Sequence, residues 1–259
     1  MVHDFLKSLA LRMVSRGFQL PEGQIDRVTE LTHLKTLLRE LAINCVLDVG
    51  ANRGQFAREL RGIGYTGHII SFEPLPHEFA RLSQRFTGDQ KWKGRQLALG
   101  SEAKTAKINV ARRSDLSSFL TLRQQETIVE GHEVEIKRLD NVLPELTAEI
   151  LSPRIFLKMD TQGFDMEVFR GASACLKQIL GLQSELSVKP IYQDMPHYLE
   201  ALTLYEAAGF ELYNLSVVAR MFGKGLAELN CFMKRPSTSA GDAEDKETLV
   251  YVKHLAAGL

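Results

Sequence analysis

From Asn44 onward, short apolar runs alternate with helical stretches, and this alternation restricts the chain more than any other feature. Cys45–Val49 and His68–Phe72 read as strands, and Gln55–Arg61 and Glu78–Phe86 as helices. Phe56 and Leu60 share one face of the first helix, and Phe79, Leu82 and Phe86 one face of the second. Gln96–Leu99 reads as the third strand, Ile155–Met159 as the fourth and Gly181–Ser187 as the fifth. Strands separated by helices run parallel with right-handed crossovers, which puts helices on both faces of the sheet. The expected class is α/β, with a doubly wound, Rossmann-like sheet.

The remaining elements fit around that frame. Ala106–Ala111 and Val134–Ile136 alternate in polarity and pair either as an inserted hairpin or as a sheet edge. Met166–Phe169 lies on a helix ended by Gly171, and Tyr198–Ala208 is a helix closed by Gly209. Glu211–Leu215 and Leu229–Met233 are the last two strands. Ahead of the domain, Phe5, Leu9 and Met13, then Ile25, Val28 and Leu31, recur at helical spacing, giving helices over about 4–17 and 24–41. Both are expected to cap the core; Lys7, Arg12 and Arg16 leave a second reading, peripheral contact with a membrane. The segment after Pro236 is small, polar and acidic, the composition of a flexible tail. Within it, Leu249–Leu255 is a short element able to dock on the domain or across a homodimer. The expected division is 1–43, 44–235 and 236–259.

The turn Asp48-Val49-Gly50-Ala51-Asn52-Arg53-Gly54 falls at the carboxyl end of the first strand, where doubly wound sheets bind ligands. A dinucleotide fingerprint would read G-x-G-x-x-G, with backbone amides aimed at a pyrophosphate. This loop lacks that spacing and carries an acidic residue just before the first glycine. A carboxylate repels pyrophosphate but suits a ligand with an ammonium and a sulfonium. Glu73, ending the second strand, is placed to accept hydrogen bonds from both ribose hydroxyls. Asp48, the glycine loop and Glu73 together describe a cationic nucleoside without phosphates, and S-adenosylmethionine fits.

The segments VLDVGANRGQF, SFEPLP, LALGS, RLDNVLPEL and FLKMDTQGFDMEVFRGA, with SELSVKPIYQDMPHYLEALTLYEAAGF, resemble the FkbM-type methyltransferases from about Val46 to Lys234. The resemblance implies a seven-stranded sheet with its last strand antiparallel. It implies O-methylation, often of a sugar hydroxyl in a glycolipid or of a natural-product scaffold. It further implies cofactor contacts from Asp48, Gly50, Asn52, Gly54, Glu73, Pro74 and Ala98, with Ser117 and Ser118 lining the cofactor or acceptor pocket. The chain departs from the family at Gln162, where many relatives carry Glu, and at Asn230, near which they carry an acidic residue.

Methyl transfer is an in-line displacement, so the protein must align donor and acceptor and remove the hydroxyl proton. Asp160, ending the fourth strand, is the expected residue at the acceptor hydroxyl, as base or orienter; the competing role is a cap on the following helix. Glu185 is the second catalytic candidate, with Tyr192 and Gln193 just beyond it. Lys158 is a strand residue whose ammonium would pair with Glu185. His132 and His197 are further bases in principle. Asp160 and Glu185 would suit a divalent cation, but Gln162 removes an anionic ligand and no metal is expected.

Lys plus Arg and Asp plus Glu both total 32, so no polyanionic partner is called for and nucleic acid is not expected. The alternatives are a methyltransferase fold acting on nucleic acid, a non-catalytic binding module and a dinucleotide oxidoreductase. The cysteines Cys45, Cys175 and Cys231 are scattered and read as buried hydrophobes. With no signal-peptide pattern and no apolar run of about 20 residues, the expected location is cytoplasmic.

Overall fold

The computed structural model describes residues 22–123, 128–221 and 225–236. The expected first helix, the tail beyond Pro236 and Leu249–Leu255 lie outside the described residues. In chain order the elements are α1 (Glu22–Glu40), β1 (Cys45–Val49), α2 (Gln55–Gly62), β2 (His68–Phe72), α3 (Pro76–Arg85) and β3 (Trp92–Arg95). Then come β4 (Ala98–Leu99), β5 (Lys104–Ala111), β6 (Ile128–Lys137), α4 (Leu139–Thr147), β7 (Ile155–Met159) and α5 (Asp165–Arg170). The chain continues with β8 (Ile179–Ser187), α6 (Tyr198–Ala207), β9 (Glu211–Arg220) and β10 (Leu226–Lys234).

The main sheet has seven strands in the order β3-β2-β1-β7-β8-β10-β9. All neighbours from β3 to β8 are parallel, and β10 runs antiparallel between β8 and β9. This is the doubly wound sheet with an antiparallel last strand that the sequence implied. A smaller three-stranded sheet, β4-β6-β5, stands apart. The polar segments around Ala106 and Val134 therefore make a sheet of their own and do not edge the main one.

One expected strand is displaced. Trp92–Arg95, not Gln96–Leu99, pairs with β2, while Ala98–Leu99 pairs with β6 in the small sheet. The physical reason is burial. Trp92–Arg95 is a half-buried edge and carries no run of apolar residues, whereas Leu97, Ala98 and Leu99 are buried where the small sheet meets the main one.

Strand alternation divides the core between the two sheet faces. Cys45, Leu47 and Val49 of β1 pack with Leu143 of α4, Phe169 of α5 and Tyr205 of α6. Val46, with Ile69, Phe156 and Phe232, packs against Leu34 and Leu37 of α1, Leu60 of α2 and Leu82 of α3. On that second face a polar row crosses the sheet, because Ser71, Asp48, Lys158 and Gln183 are register partners on β2, β1, β7 and β8. Asp48 is fully buried and Lys158 nearly so, their charges 3.0 Å apart. Ser71 Oγ donates to Asp48 at 3.4 Å, and Trp92 Nε1 donates to Ser71 at 3.0 Å.

A buried ion pair adds little net stability, but removing one partner strands the other charge, at about 3–5 kcal/mol. Lys158→Met is expected to lower the unfolding free energy by that amount. Adding Asp48→Asn to the same chain is expected to restore most of it. Urea unfolding of the single and double variants checks this, and simple additivity of the two losses would contradict it.

Candidate functional site

The loops after β1, β2 and β7 meet Gln183 and Glu185 of β8 at the carboxyl edge of the sheet around a cavity of about 430 Å³. Two of them touch through their backbones. Gly50 has φ +74°, and a Cβ there would lie 1.9 Å from the Asp160 carbonyl oxygen. Only glycine permits this approach, which locks the turn after β1 against the turn after β7. Gly50 N and Ala51 N then donate to Phe72 O at 3.1 and 3.0 Å, joining the end of β2 to the same unit.

Glu73 follows β2 and is 5% exposed. Its carboxylate accepts Asn52 N at 2.8 Å and Leu75 N at 2.9 Å. Burial pushes its pKa up to about 7, against the pull of those two amides. Each oxygen retains a lone pair, so the group can still receive a pair of hydroxyls. Gly50, Asn52, Glu73, Pro74, Ala98 and Ser117 all line the cavity.

Three expected cofactor residues are absent from the cavity lining. Asp48 lies beneath the loop and holds Lys158, so it does not reach the cavity. Gly54, with φ +79°, makes room for Leu82 and Phe86, whose atoms would lie within 3 Å of a Cβ. Ser118 is buried; its hydroxyl donates to Gln162 O at 2.7 Å and accepts Leu120 N at 3.0 Å.

Across the cavity, Asp160 and Glu185 are brought together. Asp160 follows β7 with its side chain 43% exposed, 3.5 Å from the Lys158 ammonium. Lys158 thus pairs with Asp48 and Asp160 and not, as the sequence reading had it, with Glu185. The register explains this, since Asp48 stands directly beside Lys158 on the neighbouring strand. Burial pulls the lysine's pKa down, but the two carboxylates outweigh it and hold the ammonium charged.

Gln162 links the two carboxylates. Its Nε2 donates to Asp160 at 3.2 Å and to Glu185 at 3.1 Å, while Tyr192 OH donates to its Oε1 at 3.0 Å. The same hydroxyl is 2.9 Å from Leu116 O, and its single proton serves one acceptor at a time. Burial, then the charges of Asp160, Glu228 and Asp165, push Glu185 well above the ordinary carboxylate range.

Asp160 does not cap α5. The Thr161 amide donates instead to Asp165, at 2.8 Å, and Asp165 also accepts Ser184 Oγ and Glu185 N. Sequence reasoning passed over this buried carboxylate, although an acid inside the apolar run around Met166 and Val168 was its signal. It ties the turn after β7 to β8 and so sets the distance between Asp160 and Glu185. His197 is the N-cap of α6, accepting from Leu199 N, and His132 lies on β6 away from the cavity.

Glu73 has a consequence for stability. The unfolded chain ionises this carboxyl near 4.5, the folded chain near 7. Between those values the folded state holds the extra proton, so stability falls as pH rises through the window and is level above it. Glu73→Gln is expected to remove up to about 3 kcal/mol of that decline. Urea unfolding from pH 4.5 to 7.5 tests this; parallel profiles for the two proteins would show that Glu73 titrates normally.

Residues 48–212 match the family described as the methyltransferase FkbM domain. No curated protein matches the chain. Among solved structures, a TehB-like SAM-dependent methyltransferase from Corynebacterium glutamicum is 14% identical, covering 91% of this chain and 99% of that one with a TM-score of 0.41. Magnesium protoporphyrin IX methyltransferase from Synechocystis, solved with bound SAM, is 11% identical over 85% and 86% of the two chains, with a TM-score of 0.45. Fibrillarin from Aeropyrum pernix, with natively bound S-adenosyl-L-methionine, is 10% identical over 73% and 66%, with a TM-score of 0.41. These likenesses are distant, and the assignment rests on the domain match, which spans well over half of the sequence. The chain belongs to the FkbM methyltransferase family, whose methyl donor is S-adenosylmethionine.

Proposed function

We propose that the protein methylates a hydroxyl of a small-molecule or glycolipid acceptor, a sugar or a natural-product scaffold, in the cytoplasm. The carrying observation is Asp160, a part-exposed carboxylate in the wall of the cavity, held by Lys158 and Gln162 and in backbone contact with the glycine loop. The chain's own residues suit the donor. Glu73 is an acceptor for a ribose diol, Pro74, Leu75 and Ala98 form an apolar wall for a base, and the volume suits a ligand of nucleoside size. When bound, S-adenosylmethionine supplies an electrophilic methyl group.

Asp160 accepts the hydrogen bond of the acceptor hydroxyl and takes its proton as the new C–O bond forms. Gln162 and Lys158 keep that carboxylate oriented, and Asp165 keeps Glu185 beside it. Carboxylates dominate this wall, which favours a hydroxyl-bearing acceptor over a phosphate backbone. The Gln162 amide occupies the bridging position between Asp160 and Glu185 that a divalent cation would take, so the reaction is read as metal-independent. Cys45, Cys175 and Cys231 are buried and unpaired, in keeping with a reducing compartment.

Asp160→Asn keeps the shape and removes the base. It is expected to cut turnover by about 10²–10⁴-fold while leaving S-adenosylmethionine affinity nearly unchanged, with a chelator having no effect on the parent enzyme. Full activity in Asp160→Asn would remove this residue from the mechanism. Activity lost to a chelator and restored by Mg²⁺ would move Asp160 and Glu185 into a metal site.

A further inference from the structure

The wall of the cavity farthest from Glu73 is built by β8 and β10. Asn230 stands opposite Glu185, and Phe232 opposite Gln183, in the antiparallel register of the two strands. With side chains alternating along a strand, Gln183, Glu185, Glu228 and Asn230 share one sheet face, and all four line the cavity.

This wall offers acceptors in excess of donors. Gln183 is 3% exposed, yet its Oε1 is buried with no hydrogen-bond partner. A buried polar atom in that state costs stability unless a ligand or water completes it. No ion pair reaches Glu185 or Glu228 among the described residues. The cations in the cavity wall are held by other acids: Lys158 by Asp48 and Asp160, Arg27 by Glu30 and Glu59, and Arg113 by Asp115. Burial and the proximity of Asp160 push both Glu185 and Glu228 upward; Lys158 pulls Glu185 the other way but is outweighed, and no cation offsets the shift of Glu228.

We propose that this wall receives a protonated amine carried by the acceptor, with Glu185, Glu228 and Gln183 Oε1 accepting its N–H groups, so that the acceptor is an amino sugar or a related amino alcohol. The inference rests on the reading of Asp160 as the residue at the acceptor hydroxyl. The ammonium sits one strand or more beyond that hydroxyl, on the side away from the donor. The donor's own ammonium is a poor candidate for the position. Glu73 follows β2, while Glu185 and Glu228 lie on β8 and β10, three and four strand spacings away in the sheet order, or about 14 and 19 Å at the usual spacing. Both are farther than the methionine arm extends from the ribose.

The test uses the full-length protein saturated with S-adenosylhomocysteine, titrated with glucosamine, glucose or N-acetylglucosamine and followed by ligand-observed NMR. Glucosamine is expected to bind about tenfold or more tightly than either neutral sugar, the effect of a hydrogen bond between charged groups. In Glu228→Gln that preference is expected to fall toward unity with S-adenosylhomocysteine affinity unchanged. Equal affinities for the three sugars, or no glucosamine binding, overturn the proposal while leaving the donor site intact. A Glu228→Gln protein that loses S-adenosylhomocysteine would assign these carboxylates to the donor and also overturn it. Failure of the parent protein to bind S-adenosylhomocysteine at all is a different result, because it removes the donor site on which both readings stand.

Discussion

The buried pair of Asp48 and Lys158 underlies the whole site. A charge in the middle of a parallel strand is tolerated only with a partner in register, and these two sit side by side on β1 and β7. The same ammonium then reaches Asp160 at the end of its own strand. One lysine therefore neutralises a carboxylate under the glycine loop and orients a second one in the cavity wall. Ser71 and Trp92 extend the row outward, so the polar string runs through β3, β2, β1 and β7 without leaving the sheet.

Asp160 and Glu185 differ in what surrounds them. Asp160 is part-exposed and flanked by Lys158, whereas Glu185 is enclosed and faces other acids. Two carboxylates brought close in this way would repel each other, and the Gln162 amide separates them with one donor to each. Where relatives carry Glu at this position, a third acid would stand between the pair. The glutamine is therefore more than a missing ligand, since its amide nitrogen faces both acids.

Much of this was legible in the sequence. Apolar runs marked β1, β2, β7 and β8 because those strands are buried on both faces, and the glycine loop and Glu73 marked the end of the sheet that holds the cavity. The edge strand Trp92–Arg95 escaped notice because a half-buried edge carries no such run. Helix Leu139–Thr147 was masked by the Pro144 within it. The pairing of Asp48 with Lys158 was missed for a different reason. Each was visible as a charge in an apolar strand, but their pairing depends on the register of segments more than a hundred residues apart. Gln183 and Glu228 were overlooked because period-2 polarity in a central strand looks like ordinary alternation until the neighbouring strand supplies its partners.

The contact between Gly50 and the Asp160 carbonyl also bears on how such an enzyme diversifies. Because backbone meets backbone there, the spacing between the glycine loop and Asp160 does not depend on any side chain. The residues that would recognise the rest of the acceptor lie elsewhere, on β8 and β10. With the roles proposed above, substrate choice would drift by substitution on two strands while the geometry of methyl transfer stayed constant, making the catalytic and recognition halves of this cavity separable units of evolutionary change.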